Sequence, residues 1–135
     1  MIVDTSALLA YFDSRDPAHA AVAEAVEDGR EPNVVSPFVL AEIDYLVLSR
    51  FGVRTEVQVL RELTGGAWEL ASVSPAQLRD AAKVVENYGD FKIGLTDAVN
   101  VVLAQAYRTT TIATLDRRQF SALRRPDGRP LTILP

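Results

Sequence analysis

Apolar residues along this chain switch repeatedly between short unbroken runs and helically spaced stripes. Met1-Ile2-Val3 reads as a very short buried strand, and Asp4-Thr5-Ser6 opens a helical pattern through Ala7, Leu8, Leu9, Ala10, Tyr11 and Phe12. A helix from about Pro17 to Asp28 follows, with Gly29 as its stop. Asn33-Val34-Val35 is a second short strand, closed by Ser36-Pro37, an N-cap residue followed by proline at the first helical position. The next helix, through Phe38, Leu40, Ala41, Ile43, Tyr45, Leu46, Val47 and Leu48 to Gly52, is apolar nearly all round. Such a helix is buried or shared with another chain.

The alternation continues to the end. Arg54 to Leu63 is helical, Gly65-Gly66 breaks it, and Trp68 to Val73 has the pattern of a strand. Pro75 to Tyr88 is a helix with Ala81, Ala82, Val84 and Val85 on its apolar side, and Leu95 to Tyr107 is another, opened by Gly94. Thr111 to Thr114 and Leu131 to Leu134 are the last strands. This order predicts an α/β fold, a three-layer α/β/α arrangement with a mainly parallel central sheet. No repeat, low-complexity tract or linker divides it, so residues 1–135 are expected to form a single domain, burying roughly 68% of the unfolded surface.

Composition narrows the chemistry. There is no cysteine, which removes thiolate metal sites and a cysteine nucleophile, and fits a reducing compartment. No apolar stretch approaches the ~20 residues that span a bilayer, and the chain is read as soluble and cytoplasmic. The net charge of -4 argues against a general nucleic-acid coat protein. It is unevenly placed, however: residues 1–107 sum to -8 and residues 108–135 to +4. Arg108, Arg117, Arg118, Arg124, Arg125 and Arg129 are either phosphate-holding groups near an acidic centre or a solvated basic surface.

Four acids stand out by position. Asp4 lies at the carboxyl end of the first strand, where ligands bind in open α/β sheets. Glu42 sits within the apolar helix, four residues from Phe38 and from Leu46, and a carboxylate buried there needs a cation, a donor or a proton. Asp97 falls in the first turn of its helix, and Asp116 follows the strand Thr111 to Thr114. Each has an ordinary reading: helix caps for Asp4 and Asp116, a dipole partner for Asp97, an exposed notch beside Asp44 for Glu42. Those readings do not explain why all four recur at one edge of the sheet. Crowded carboxylates raise one another's pKa unless a cation intervenes, and oxygen donors without imidazole or thiolate favour Mg²⁺ or Mn²⁺ over zinc. His19 reads as a surface histidine, Trp68 as core and Asp90 as a loop carboxylate.

With these residues in place the chain resembles the PIN-domain nucleases, and within them the VapC-type toxins of toxin-antitoxin pairs. The resemblance extends over essentially the whole chain and is carried by the motifs MIVDTSALLAYF, VVSPFVLAEIDYLV around Glu42, IGLTDAVNVVLA around Asp97 and TIATLDRRQF around Asp116. It implies a Mg²⁺-dependent endoribonuclease, with Mn²⁺ able to substitute, in which Asp4 and Asp97 bind the metal directly and Glu42 and Asp116 complete the catalytic cluster. Thr5, Ser6, Asn100 and Thr114 would orient carboxylates or waters, and Arg117 and Arg118 would contact substrate. It further implies cleavage of transfer or ribosomal RNA to a 5′-phosphate and a 3′-hydroxyl, a small neutralising antitoxin, and a homodimer. The helices containing Glu42 and running from Arg54 to Leu63 are candidate walls of the antitoxin groove. One departure is Gln119, where many relatives carry His or Asp before the phenylalanine matched by Phe120.

Other classes fit less well. A haloacid-dehalogenase-type phosphatase needs a second acid two residues after the first, where this chain has Ser6, and a receiver domain needs a lysine on a late strand, where it has arginines. A housekeeping PIN-domain ribonuclease and a non-catalytic PIN fold used as a binding module remain the alternatives.

Overall fold

The computed structural model describes residues 1–135, and its strands are as short as the apolar runs that encode them. Strands β1 (Ile2–Val3), β2 (Asn33–Val35), β3 (Trp68–Leu70), β4 (Thr111–Ala113) and β5 (Thr132–Leu134) form one sheet in the order β3-β2-β1-β4-β5, every pairing parallel. The connections carry α1 (Thr5–Phe12), α2 (His19–Glu27), α3 (Pro37–Phe51), α4 (Val53–Leu63), α5 (Pro75–Asn87), α6 (Leu95–Ala106) and α7 (Arg117–Ala122), with a 3-10 turn at Gly89–Phe91.

Alternation along the strands creates two cores, because successive side chains point to opposite faces. Val3, Val35 and Ala113 join α1 to α4 on one face through Leu8, Val22, Ile43 and Leu63. Ile2, Val34 and Ile112 join α5, α6 and α7 on the other through Val84, Leu103 and Phe120. The sheet is thus sandwiched, and strands buried on both sides must be apolar at every position. α6 shows the demand most clearly, with every residue from Ala98 to Ala104 buried.

Local chemistry sets the element ends. Ser36 caps α3 by accepting from the Val39 N–H at 3.1 Å, with Pro37 in the first turn. Ser74 and Gln77 form a reciprocal capping box on α5. The second helix starts at His19 rather than Pro17, because Asp16 Oδ1 accepts from the Ala18 N–H at 2.8 Å and holds a turn there. The third strand stops at Leu70, not Val73, because its partner β2 ends at Val35, the residue paired with Leu70. Helix α3 buries only the stripe Val39, Ile43 and Val47; Tyr45 (68% exposed) and Leu48 face outward. Gly52 ends α3 and begins α4 with φ 82° and ψ 172°, a backbone region open in practice only to glycine.

Candidate metal centre

The strand order reverses direction at β1, which pairs with β2 on one side and β4 on the other, so the loops leaving β1 and β4 diverge and open a crevice at their carboxyl ends. Asp4 is the first residue after β1; Thr114 and Asp116 follow β4. The Asp4 N–H continues the ladder to the Ala113 carbonyl at 2.9 Å, which fixes its side chain at the crevice floor. Only 6% of Asp4 is exposed, and a carboxylate so enclosed requires donors. Ser6 Oγ donates to its Oδ2 at 2.8 Å, Thr114 Oγ1 donates to the same oxygen at 2.9 Å, and Asn100 Nδ2 donates to Oδ1 at 3.3 Å. Asp4 also caps α1 through the Ser6 N–H, so the capping and site readings of this residue coexist.

Helices α3 and α6 bring in the next two acids. Glu42 Oε2 accepts from Thr5 Oγ1 at 2.6 Å, and its Oε1 from Thr96 Oγ1 at 2.6 Å. Asp97 Oδ2 accepts from the Gly94 N–H at 3.1 Å and from the Gln119 side-chain amide. Asp116 caps α7, its Oδ1 accepting from the Gln119 N–H at 3.1 Å, while its own N–H donates to Thr114 Oγ1 at 3.1 Å. Thr5, Ser6, Asn100 and Thr114 therefore all touch one of the acids or its loop. Thr96 and Gln119 do so as well, although the pattern of the chain did not single out Thr96 and suggested Gln119 only as a departure from the family. The available signal for Thr96 was a hydroxyl beside Asp97 in the same first helical turn.

The four acids have no ion-pair partner: none of the six ion pairs includes Asp4, Glu42, Asp97 or Asp116. Burial pushes the Asp97 carboxyl above its ordinary value, and the charges of Asp4 and Glu42 push it further, against the Gly94 N–H and the Gln119 amide that hold it down. As the side chains stand, no three acids or histidines converge into a closed ligand set. Glu42 and Asp97 are instead turned onto hydroxyl and amide donors. The donor chemistry fits a hard divalent cation: carboxylates with mutually unfavourable charge, no imidazole or thiolate, and a buried Asn100 Oδ1 that has no partner.

The basic tail is divided rather than gathered here. Arg117 and Arg118 open α7 beside Asp116, both exposed. Arg125 is buried at the other edge, where its Nη1 donates to the Thr109 carbonyl at 3.0 Å and its Nη2 to Asp127 at 2.6 Å. Arg129 pairs with the same Asp127, and Arg124 forms an antiparallel bridge with Pro130. His19 is half-buried, with its Nδ1 3.0 Å from the Ala10 carbonyl. Trp68 packs into the core against Tyr11 and Phe12. Asp90 lines a recess with Asp116 and Gln119 instead of standing alone in a loop. A separate hollow of about 260 Å³, walled by Met1, Arg30, Glu31 and Thr132, lies at the amino edge, away from these acids.

An α/β/α sandwich with acids at the switch point of a parallel sheet defines a class, and the chain belongs to it: it is a member of the PIN-domain family, whose sequence profile matches residues 1–126. Over all 135 residues, and the full length of that protein, it is 58% identical to ribonuclease VapC26 of Mycobacterium tuberculosis. The fold is shared with VapC20 of Mycobacterium tuberculosis, described as a sarcin-ricin loop cleaving toxin, with a TM-score of 0.79 and 17% identity over 87% of this chain and 91% of that one. A chain of a toxin-antitoxin complex from Klebsiella pneumoniae matches with a TM-score of 0.67 and 20% identity, covering 90% of this chain and 91% of that one. No helix is long and apolar enough to cross a membrane.

Proposed function

We propose that this chain is a Mg²⁺-dependent endoribonuclease, the toxin of a type II toxin-antitoxin pair, acting as one PIN domain on structured RNA such as transfer or ribosomal RNA in the cytoplasm. The observation that carries this reading is an edge of four carboxylates without a cationic partner, in a chain so similar to a named ribonuclease. Asp4 and Asp97 would hold the cation, with Mn²⁺ as a substitute, and Glu42 and Asp116 would complete the cluster, partly through water. Bound there, such a cation supplies a water of lowered pKa and stabilises charge building on the phosphate.

The remaining roles belong to the chain itself. Ser6, Thr114 and Asn100 orient the Asp4 carboxylate; Thr5 and Thr96 do the same for Glu42. Glu42 or Asp116 steers the attacking water for in-line displacement, leaving a 5′-phosphate and a 3′-hydroxyl. Gln119 couples the arm carrying Asp116 to Asp97, and Arg117 and Arg118 hold flanking phosphates. For the antitoxin we propose the face where Tyr11 and Phe12 of α1 meet Val59 and Glu62 of α4, a cleft of about 450 Å³. A homodimer is part of the same proposal.

The test is cleavage of total cellular RNA by the purified wild-type chain and by Asp97→Asn, each with Mg²⁺ and with EDTA, mapping the product ends. Discrete cuts that need both the metal and Asp97 are the expected result. No cleavage by folded, metal-loaded protein free of antitoxin overturns the nuclease reading in favour of a binding module.

A further inference from the structure

The recess beside the acidic centre is lined by Asp90, Phe91, Asp116, Arg118 and Gln119 and encloses about 470 Å³. Two of these residues belong to the centre itself: Asp116 is one of its acids, and Gln119 donates to Asp97. Anything seated in the recess is therefore a direct neighbour of whatever the carboxylates act on.

Phe91 is the unusual member. It is 52% exposed and belongs to neither core cluster, yet it is held in place. Tyr88 meets its ring edge-on at 6.2 Å and 63°, and the Phe91 N–H donates to the Tyr88 carbonyl at 2.9 Å. The turn closes with the Lys92 N–H on the Gly89 carbonyl and Lys92 in the left-handed region at φ 51°. A large ring pinned in water contributes little to folding and leaves an open face. The rest of the wall is polar, with both signs of charge, and Arg118 makes none of the ion pairs. An apolar peptide side chain would strand these polar groups. A flat heteroaromatic ring with donors and acceptors on its rim would stack on Phe91 and satisfy them.

From this arrangement we propose that the recess receives an unpaired nucleobase of RNA, adjacent to the phosphate at the acidic centre, with Phe91 as its stacking platform and Asp90, Arg118 and Gln119 around its rim. The assignment rests on the nuclease reading for the identity of the polymer. The base must be unpaired, since a base inside a helix offers no free face to the ring.

The probe is a 12-nucleotide single-stranded RNA carrying 2-aminopurine at each position in turn, bound in Mg²⁺ to the Asp4→Asn chain, which keeps every residue that lines the recess. Affinity and 2-aminopurine quenching are read for this chain, and again with Phe91→Ala or Phe91→Trp added. The expected result is quenching at one or two positions, a loss of about 5- to 100-fold in affinity and of the quenching with Phe91→Ala, and retention of both with Phe91→Trp. Failure of the Asp4→Asn chain to bind the RNA, or equal binding and quenching after Phe91→Ala with an unchanged melting curve, overturns the proposal. Cleavage by the otherwise wild-type chain is scored alongside. Phe91-dependent quenching without any cleavage keeps the base site and removes the nuclease reading; cleavage indifferent to Phe91→Ala removes the base site alone.

Discussion

At the amino edge of the sheet Glu31 meets the terminal ammonium at 2.9 Å, Asp28 meets Arg30, and Asp127 meets Arg125 and Arg129. At the carboxyl edge, Asp4, Glu42, Asp97 and Asp116 meet only hydroxyls and amides. The two edges respond in opposite senses. The Thr109 hydroxyl and then the ammonium hold the Glu31 carboxyl below its ordinary range, whereas burial and neighbouring carboxylates hold Asp97 above it. The amino edge is finished as folded. The carboxyl edge leaves unfavourable charge that a divalent cation would relieve, and this separates a structural use of acids from the functional one proposed for Asp97 and its neighbours.

The widest separation between the edges should appear in catalysis. Asp97→Asn is expected to slow cleavage of a mapped RNA about 10²- to 10³-fold, some 3 to 4 kcal/mol of barrier, while Glu31→Gln leaves the rate unchanged. Full activity in Asp97→Asn would break the contrast. Cation binding comes next: Mg²⁺ at ~100 times its Kd should add about 2.7 kcal/mol, roughly 10 °C in Tm. Differential scanning fluorimetry should find that rise retained in Glu31→Gln and lost in Asp97→Asn; an equal rise in both would remove the cation from the acidic centre.

The arginines extend the comparison to positive charge. Arg125→Met is expected to cost about 2 to 3 kcal/mol in urea unfolding, because it removes the buried donor to the Thr109 carbonyl, while Arg118→Ala stays within about 0.5 kcal/mol. Equal destabilisation would contradict the division of the basic tail.

The smallest effects carry the sharpest sign. A carboxyl with a raised folded pKa binds its proton more tightly in the fold, so ionised Asp97 opposes folding above the ordinary range of about 3.9. In the absence of divalent cations, Asp97→Asn should therefore raise Tm at neutral pH, the gain vanishing in acid. Glu31, with a lowered folded pKa, supports the fold above about 4.3 and loses that contribution as pH falls through its folded value. Glu31→Gln should lower Tm at neutral pH and converge with wild type in acid; shifts of one sign in both variants would refute the electrostatic account of the two edges.

Much of this architecture was legible from periodicity, since two-sided burial forces Ile2, Val3, Val34, Val35, Ile112 and Ala113 to be apolar together. The positions of Asp4 and Asp116 followed from the ends of those strands. The partners of the acids were harder to read. Thr96 reaches Glu42 across 54 residues, and Gln119 reaches Asp97 across 22, so each contact depends on how two helices meet. The division of the arginines was hidden for a related reason: neighbours in sequence from Arg117 to Arg129 are carried to opposite ends of the sheet by the passage from α7 back to the start of β5. Strand length failed by simple geometry, since β3 has no ladder beyond the last residue of β2.

Gly52 joins the helix bearing Glu42 to the helix proposed to line the antitoxin cleft. Nothing lies within 4 Å of where a side chain would begin there, so a mutational scan ranked by available room would score the position as tolerant. Its dihedral angles say the opposite. Even alanine would have to hold a conformation about 1 to 3 kcal/mol uphill or swing one helix relative to the other. A roomy, half-buried residue is thus the point through which one substitution would disturb the proposed catalytic alignment and the proposed partner cleft together.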